Sequence, residues 1–341
     1  PDDQFASANR RAISGTLTTS GASVAAKVGY SSSSKTSYST AIENANATGI
    51  FIVGNGYSSA SDLPSSVTGD IYHVETTYNT SYSTSSSDLN IEEGKTALFV
   101  SLVENGENSS DDIYGLGFNG GSLTITGGGT LIGIGGIATD DSSYGIYTNA
   151  DLTVDGSAVI GVGGPSESSN YGIYVDSGLT IASGSVTGVG GQTFYDYSSY
   201  GLYVSGKTTA SGTACVLGLG GDQLDYDSYG YYGSNDIEIR DQAQVFGIGG
   251  DTADYDSTGI NGTVRAYGGV AVAIGGRSYG TSEGFDDSFY CYYGGRVVGM
   301  ASTSTHNSGS HGAWGVGKSA ARWCSADRPR RSPVPGRLFS P

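Results

Sequence analysis

Methionine occurs once in 341 residues, histidine three times, and lysine plus arginine only 16 times against 33 acids. The formal charge of −17 removes the electrostatic basis for binding nucleic acid or an anionic membrane. Long apolar runs are also missing. The longest, from Ala97 to Val103, is far too short to span a bilayer, so no membrane insertion is expected. No segment shows the 3.6-residue spacing of an amphipathic helix. Three cysteines (Cys215, Cys291 and Cys324) cannot all pair, and Cys215 and Cys291 are read as small core or turn residues. His73, His306 and His311 lie outside the repeat described next, which leaves no Ser-His-Asp or zinc constellation within it. A composition this poor in charge and rich in Gly, Ser, Thr and Tyr suits a secreted or surface-displayed β protein, expected to be monomeric.

What the chain does have is a repeat. One copy runs through Tyr144-Gly145-Ile146-Tyr147, Leu152-Thr153-Val154 and Val159-Ile160-Gly161-Val162-Gly163-Gly164. Further starts fall at Tyr114, Tyr171, Tyr200, Tyr229 and Thr258, with a degraded last copy containing Tyr290. Spacings of roughly 27 to 32 residues signal stacked supersecondary units. Each copy holds three short β-favouring runs separated by Gly, Ser, Asn or Asp. That predicts one coil of a right-handed parallel β-helix per copy, with at least seven coils. The expected organisation is an irregular N-terminal cap or early coils over 1–90, the β-helix over 91–300, and a disordered basic tail over 301–341. The recurrent Gly-Gly pair (Gly163-Gly164, Gly190-Gly191 and equivalents) is read as a corner needing φ > 0. The loop after it varies in length and is rich in Asp, Ser and Tyr, so this edge is the expected functional one.

Four residues before each start stand Asp140, Glu167, Asp196, Asp225, Asp254 and, if Tyr290 is the equivalent tyrosine, Asp286. Asp227 and Asp256 repeat two residues later. Such a column either splays into solvent as an acidic ridge or holds Ca²⁺, which wants six to eight hard oxygen ligands. For the second reading the candidate ligands are Asp196, Asp225, Asp227, Asp254 and Asp256. Gly220-Gly221-Asp222 and Gly249-Gly250-Asp251 lack the third glycine and the nine-residue period of the Ca²⁺ β-roll.

Two tyrosine columns flank the ridge: Tyr144, Tyr171, Tyr200, Tyr229 and Tyr290, and, three residues on, Tyr147, Tyr174, Tyr203, Tyr232 and Tyr293. Strict strand alternation sends one inward and one outward. Outward Tyr174, Tyr203 and Tyr232, with loop residues Tyr195, Tyr197, Tyr226 and Tyr255, form a candidate surface for stacking sugar rings; the other reading is that these tyrosines only stabilise the stack. Cations available for catalysis are few (Lys207, Arg240, Arg265, Arg277 and Arg296 in the regular coils), so no catalytic residue is assigned.

The stretch Gly172-Ile173-Tyr174-Val175-Asp176-Ser177-Gly178-Leu179-Thr180-Ile181, with Gly145-Ile146-Tyr147 to Leu152-Thr153-Val154, resembles the repeats of extracellular carbohydrate-binding β-helix proteins of clostridia and other gut or soil bacteria, which are similar in shape to pectate lyases. The resemblance covers about 113 to 300. It implies an extracellular, non-catalytic, Ca²⁺-containing module that binds acidic or cellulosic plant polysaccharide. The tyrosine richness and the acid ladder depart from that pattern. A polysaccharide lyase or glycoside hydrolase on the same fold, and a structural spacer or stalk of a surface protein, are the alternatives.

Overall fold

The computed structural model describes residues 49–53, 66–67, 69–75, 81–84, 87–101, 112–138, 141–193, 197–223, 225–302 and 310–311. In chain order the early strands are β1 (Gly49–Val53), β2 (Ser66–Val67), β3 (Asp70–Glu75), β4 (Ser81–Thr84), β5 (Ser87–Ile91) and β6 (Thr96–Ser101). Seven regular turns of three strands follow. These are β7 (Ile113–Gly120), β8 (Leu123–Thr126) and β9 (Thr130–Ile134); then β10 (Ser143–Thr148), β11 (Leu152–Val154) and β12 (Ala158–Val162); then β13 (Asn170–Val175), β14 (Leu179–Ile181) and β15 (Ser185–Val189). The fourth turn is β16 (Ser199–Val204), β17 (Thr208–Ala210) and β18 (Cys215–Leu219), and the fifth is β19 (Ser228–Gly233), β20 (Ile237–Arg240) and β21 (Gln244–Ile248). The last two are β22 (Ser257–Asn261), β23 (Val264–Tyr267) and β24 (Val270–Ile274), and β25 (Ser282–Phe285), β26 (Phe289–Tyr292) and β27 (Arg296–Met300). A final short strand is β28 (Ser310–His311).

Every ladder is parallel, and like strands of successive turns pair in three sheets. Sheet A runs β1-β3-β6-β9-β12-β15-β18-β21-β24-β27, sheet B β2-β5-β8-β11-β14-β17-β20-β23-β26, and sheet C β28-β25-β22-β19-β16-β13-β10-β7-β4. The fold is a parallel β-solenoid, and among the described residues it contains no helix. Strands from 49 to 91 belong to the same three sheets, so the described part of 1–90 consists of early coils. His73 and His311 stand in β3 and β28, inside the sheets, which corrects the placing of all three histidines outside the repeat.

The core follows from alternation. Each turn sends apolar side chains inward from all three sheets, such as Ile146 and Ile173 from sheet C, Leu152 and Leu179 from sheet B, and Val159 and Val186 from sheet A, all fully buried. Neighbouring turns join these into one continuous cluster. One turn fills the space differently. Tyr231 replaces the usual aliphatic residue, Gly233 and Thr208 leave room, and its hydroxyl meets Thr208 Oγ1 at 2.5 Å.

Two glycine columns let sheets A and C touch backbone to backbone. A Cβ on Gly161 would fall inside contact distance of Gly172 O, and the same holds for Gly188 against Gly201 and Gly218 against Gly230. The Gly-Gly corners also exist for space. A Cβ on Gly164 would strike Gly136 O, yet none of these corner glycines has positive φ. That overturns the φ argument. Positive φ instead collects where sheet B hands over to sheet A, at Gly156, Gly184, Gly212, Asp241 and Gly268.

The cysteine reading is corrected at both positions. Cys215 is exposed at the start of β18, and Cys291 in β26 is disulfide-bonded. Among the described residues β26 is the last strand of its sheet.

Candidate functional site

Buried serines fix the first edge of sheet C. Ser143, Ser199, Ser228 and Ser257 are fully buried, and each hydroxyl does two things. It donates to the carbonyl of the Gly-Gly corner that precedes it: Ser143 to Gly136 O at 2.7 Å, Ser228 to Gly221 O at 2.8 Å and Ser257 to Gly250 O at 2.6 Å. It also accepts the N–H of the corner one coil further on, as from Gly164 at 3.0 Å, Gly250 at 2.9 Å and Gly276 at 2.8 Å. Asn170 takes the serine place in one turn and accepts from Ser199 Oγ at 2.7 Å. Its visible signal in the sequence is a polar residue directly before each repeat start from Tyr144 onward; before Tyr114 the place is held by Ile113.

Immediately after each serine comes the tyrosine array. Both columns lie on the outer face, which overturns the expectation of one inward and one outward. Gly145 and its equivalents are skipped in the pairing register (Tyr144 pairs with Tyr171, then Ile146 with Ile173), so a bend adds one residue to the alternation. Residues three apart then share a face. Within a turn the rings meet edge to face, Tyr171 to Tyr174 at 5.1 Å and 86°. Between turns they stack nearly flat: Tyr144–Tyr171 at 4.8 Å, Tyr171–Tyr200 at 4.9 Å, Tyr174–Tyr203 at 4.7 Å and Tyr203–Tyr232 at 5.1 Å. Each inner ring is therefore sandwiched by its neighbours, and sheet C offers ring edges and hydroxyls to a ligand. Burial raises the pKa of Tyr174, with the Asp176 charge adding to it. Hydroxyls donate to carboxylates at Tyr114–Asp112 (3.0 Å), Tyr174–Asp176 (3.2 Å) and Tyr229–Asp227 (3.1 Å).

Acids close both ends of the array. Burial, and then the Asp141 charge, push Asp112 up to about 6. At the far end the register sets Glu283 opposite Thr258, so Glu283, and not Tyr290, begins the last turn. Tyr290 belongs to sheet B, under the guanidinium of Arg265 at 4.9 Å, and Tyr293 stands at the corner after it. Asp286 thus leaves the acidic column; its carboxylate accepts from Asn261 Nδ2 at 2.6 Å. Burial, and then a hydrogen bond and charge from Asp286, push Glu283 up to about 8.

The loop edge carries exposed aromatic faces. Tyr197 is 49% exposed, Tyr255 46% and Tyr279 41%, and Tyr226 stacks on Tyr255 at 4.7 Å. Tyr195 and Asp196, like Asp140, lie outside the described residues. Asp225 and Asp254 are exposed beside these rings. Asp227 and Asp256 have a structural task. Asp227 accepts the N–H of Asp256 at 3.0 Å, and Asp256 accepts that of Thr281 at 2.5 Å. Asp222 accepts from Asp251 N at 2.9 Å, and Asp251 from Arg277 N at 2.8 Å. These carboxylates satisfy corner N–H groups of the next turn that no strand ladder reaches. Among the described residues, no group of three or more His, Cys, Asp or Glu side chains is placed to hold a metal ion.

Four of the five cations of the regular coils are paired: Lys207 with Glu238 at 2.8 Å, Arg240 with Glu238 at 2.7 Å, Arg265 with Asp236 at 2.8 Å and Arg277 with Asp251 at 2.6 Å. No protein-family model, curated protein or solved structure matches this chain. Strand order and register define it as a parallel β-solenoid repeat protein.

Proposed function

We propose that the protein is an extracellular, adhesin-like binder of polysaccharide that holds its ligand along the rod without cleaving it. The observation that carries this reading is the loop-edge strip of exposed Tyr197 and Tyr255, with Tyr226 stacked on Tyr255, beside exposed Asp225 and Asp254. An aromatic face takes the apolar side of a sugar ring, and a neighbouring carboxylate accepts from its hydroxyls. Next to it, Tyr174, Tyr203 and Tyr232 repeat every 4.7 to 5.1 Å, so an extended polymer would meet similar phenol edges turn after turn. The disulfide at Cys291 supports an oxidising compartment.

A polysaccharide hydrolase has one observation in its favour. Glu283, held protonated near neutral pH beside Asp286 and Asp256, has the character of a general acid, although it is only 8% exposed. Incubation with a panel of plant and host glycans separates the readings. Retention without new reducing ends or unsaturated products is expected. Such products would make the protein an enzyme, and absence of both retention and products would leave a spacer.

A further inference from the structure

The outer face of sheet A carries two adjacent columns of apolar side chains. Its strands alternate strictly, so each regular strand sends two or three residues outward. The pairing register aligns these in columns. One runs from Leu98 to Val298 and the next from Val100 to Met300, and across eight strands Thr187 is the only polar member of either. None of these side chains is fully buried, and Val298 and Met300 are 46% and 45% exposed. Eight strands about 4.8 Å apart and five residues long make a face of roughly 34 by 16 Å; the two apolar columns fill about 10 Å of that width, and the third outward column, from Thr96 through Ser185 and Gln244 to Arg296, is mostly polar. An apolar strip of that extent is in the range of the largest patch a monomer exposes, which is often a site of interaction.

We propose that this face packs against the same face of a second copy of the chain, giving a two-fold dimer. Composition alone suggested a monomer; the burial pattern argues otherwise. Two such faces, polar margin included, would bury on the order of 1,100 Å² in total, the lower end of what a specific interface needs. The partner surface is also matched in kind. Aliphatic columns with one common repeat interdigitate when two sheets pack about 10 Å apart, and a two-fold axis makes the patch complementary to itself. The columns offer no hydrogen-bonding group except Thr187 and a single aromatic ring, Phe246, so a sugar polymer fits poorly here. Their lack of charge, in a chain of −17, makes this the face where two copies approach with least repulsion.

The test is the mass of the full chain in solution by sedimentation equilibrium over a range of concentrations. The expected result is twice the chain mass for the wild type. Thr187→Arg and Leu217→Lys put a charge at the patch centre while leaving every core residue in place, and both are expected to halve that mass with an unchanged circular dichroism spectrum. Thr187 is already polar, so its variant reads the interface even where Leu217→Lys folds poorly. A wild type that keeps the single-chain mass at all concentrations overturns the proposal, whether the patch is then covered by the chain's own undescribed residues or by another molecule. Open-ended assemblies, or folded variants that keep the doubled mass, overturn it as well.

Discussion

Ser228 shows how much a single hydroxyl can carry in this rod. It is fully buried, donates to Gly221 O and accepts from Gly250 N, so it ties one turn to the next. Ser228→Ala strands both backbone groups away from water. The expected cost is about 1–3 kcal/mol, read as a lower midpoint in chemical denaturation with an unchanged slope. With Asp112 acting in the same direction, Glu283 makes the largest contribution to the pH response. Its pKa rises from the ordinary 4.5 to about 8 in the fold, so between those values the folded chain holds a proton that the unfolded chain releases. Stability therefore falls as pH rises through that window. Glu283→Gln is expected to flatten the slope and to melt higher than the wild type at pH 8, by roughly 2–4 °C for each kcal/mol recovered. Parallel pH profiles for the two proteins would refute the assignment. Part of this was legible in the chain. The serine before each start and the acids before the serines are plain in the sequence, but their task was not, because acceptor and N–H belong to different turns. Glu283 was hidden for another reason. The last turn is short, and Tyr290 imitates the start of a repeat while lying in sheet B.

At the scale of strands, two facts governed what could be foreseen. A run such as Val159-Ile160-Gly161-Val162 declares a strand but not its sides, since both of its faces are apolar. The outer face of sheet A therefore escaped the reading that found the strands themselves. In sheet C, alternation gave the wrong side for one tyrosine column because Gly145 and its counterparts interrupt the count. Glycine's role in both sheets is room. Gly218→Ala puts a methyl against Gly230 O, where sheets A and C already touch through backbone. A loss of about 1–3 kcal/mol or more is expected, in a thermal melt that stays cooperative. A neutral outcome would mean that the two sheets can move apart at little cost.

For the whole molecule, three parallel sheets were readable from spacing alone, because one strand set per copy and one length per copy leave few other folds. The ligand edge was only partly readable. The acids that suggested Ca²⁺ divide into exposed Asp225 and Asp254 and the N–H acceptors Asp227 and Asp256. Carboxylates already engaged by backbone donors have fewer lone pairs for a metal. Chelation with EDTA is accordingly expected to leave the melting midpoint unchanged, and a clear fall would put a divalent ion on that edge.

The register from Asn170 through Ser199 and Ser228 to Ser257 advances by 29 residues each time. Coils of equal length with matching partners above and below are interchangeable parts. A gene encoding them can gain or lose whole coils by unequal recombination and still yield a rod whose seams fit, so the reach of the molecule can change while its surface chemistry is copied unaltered.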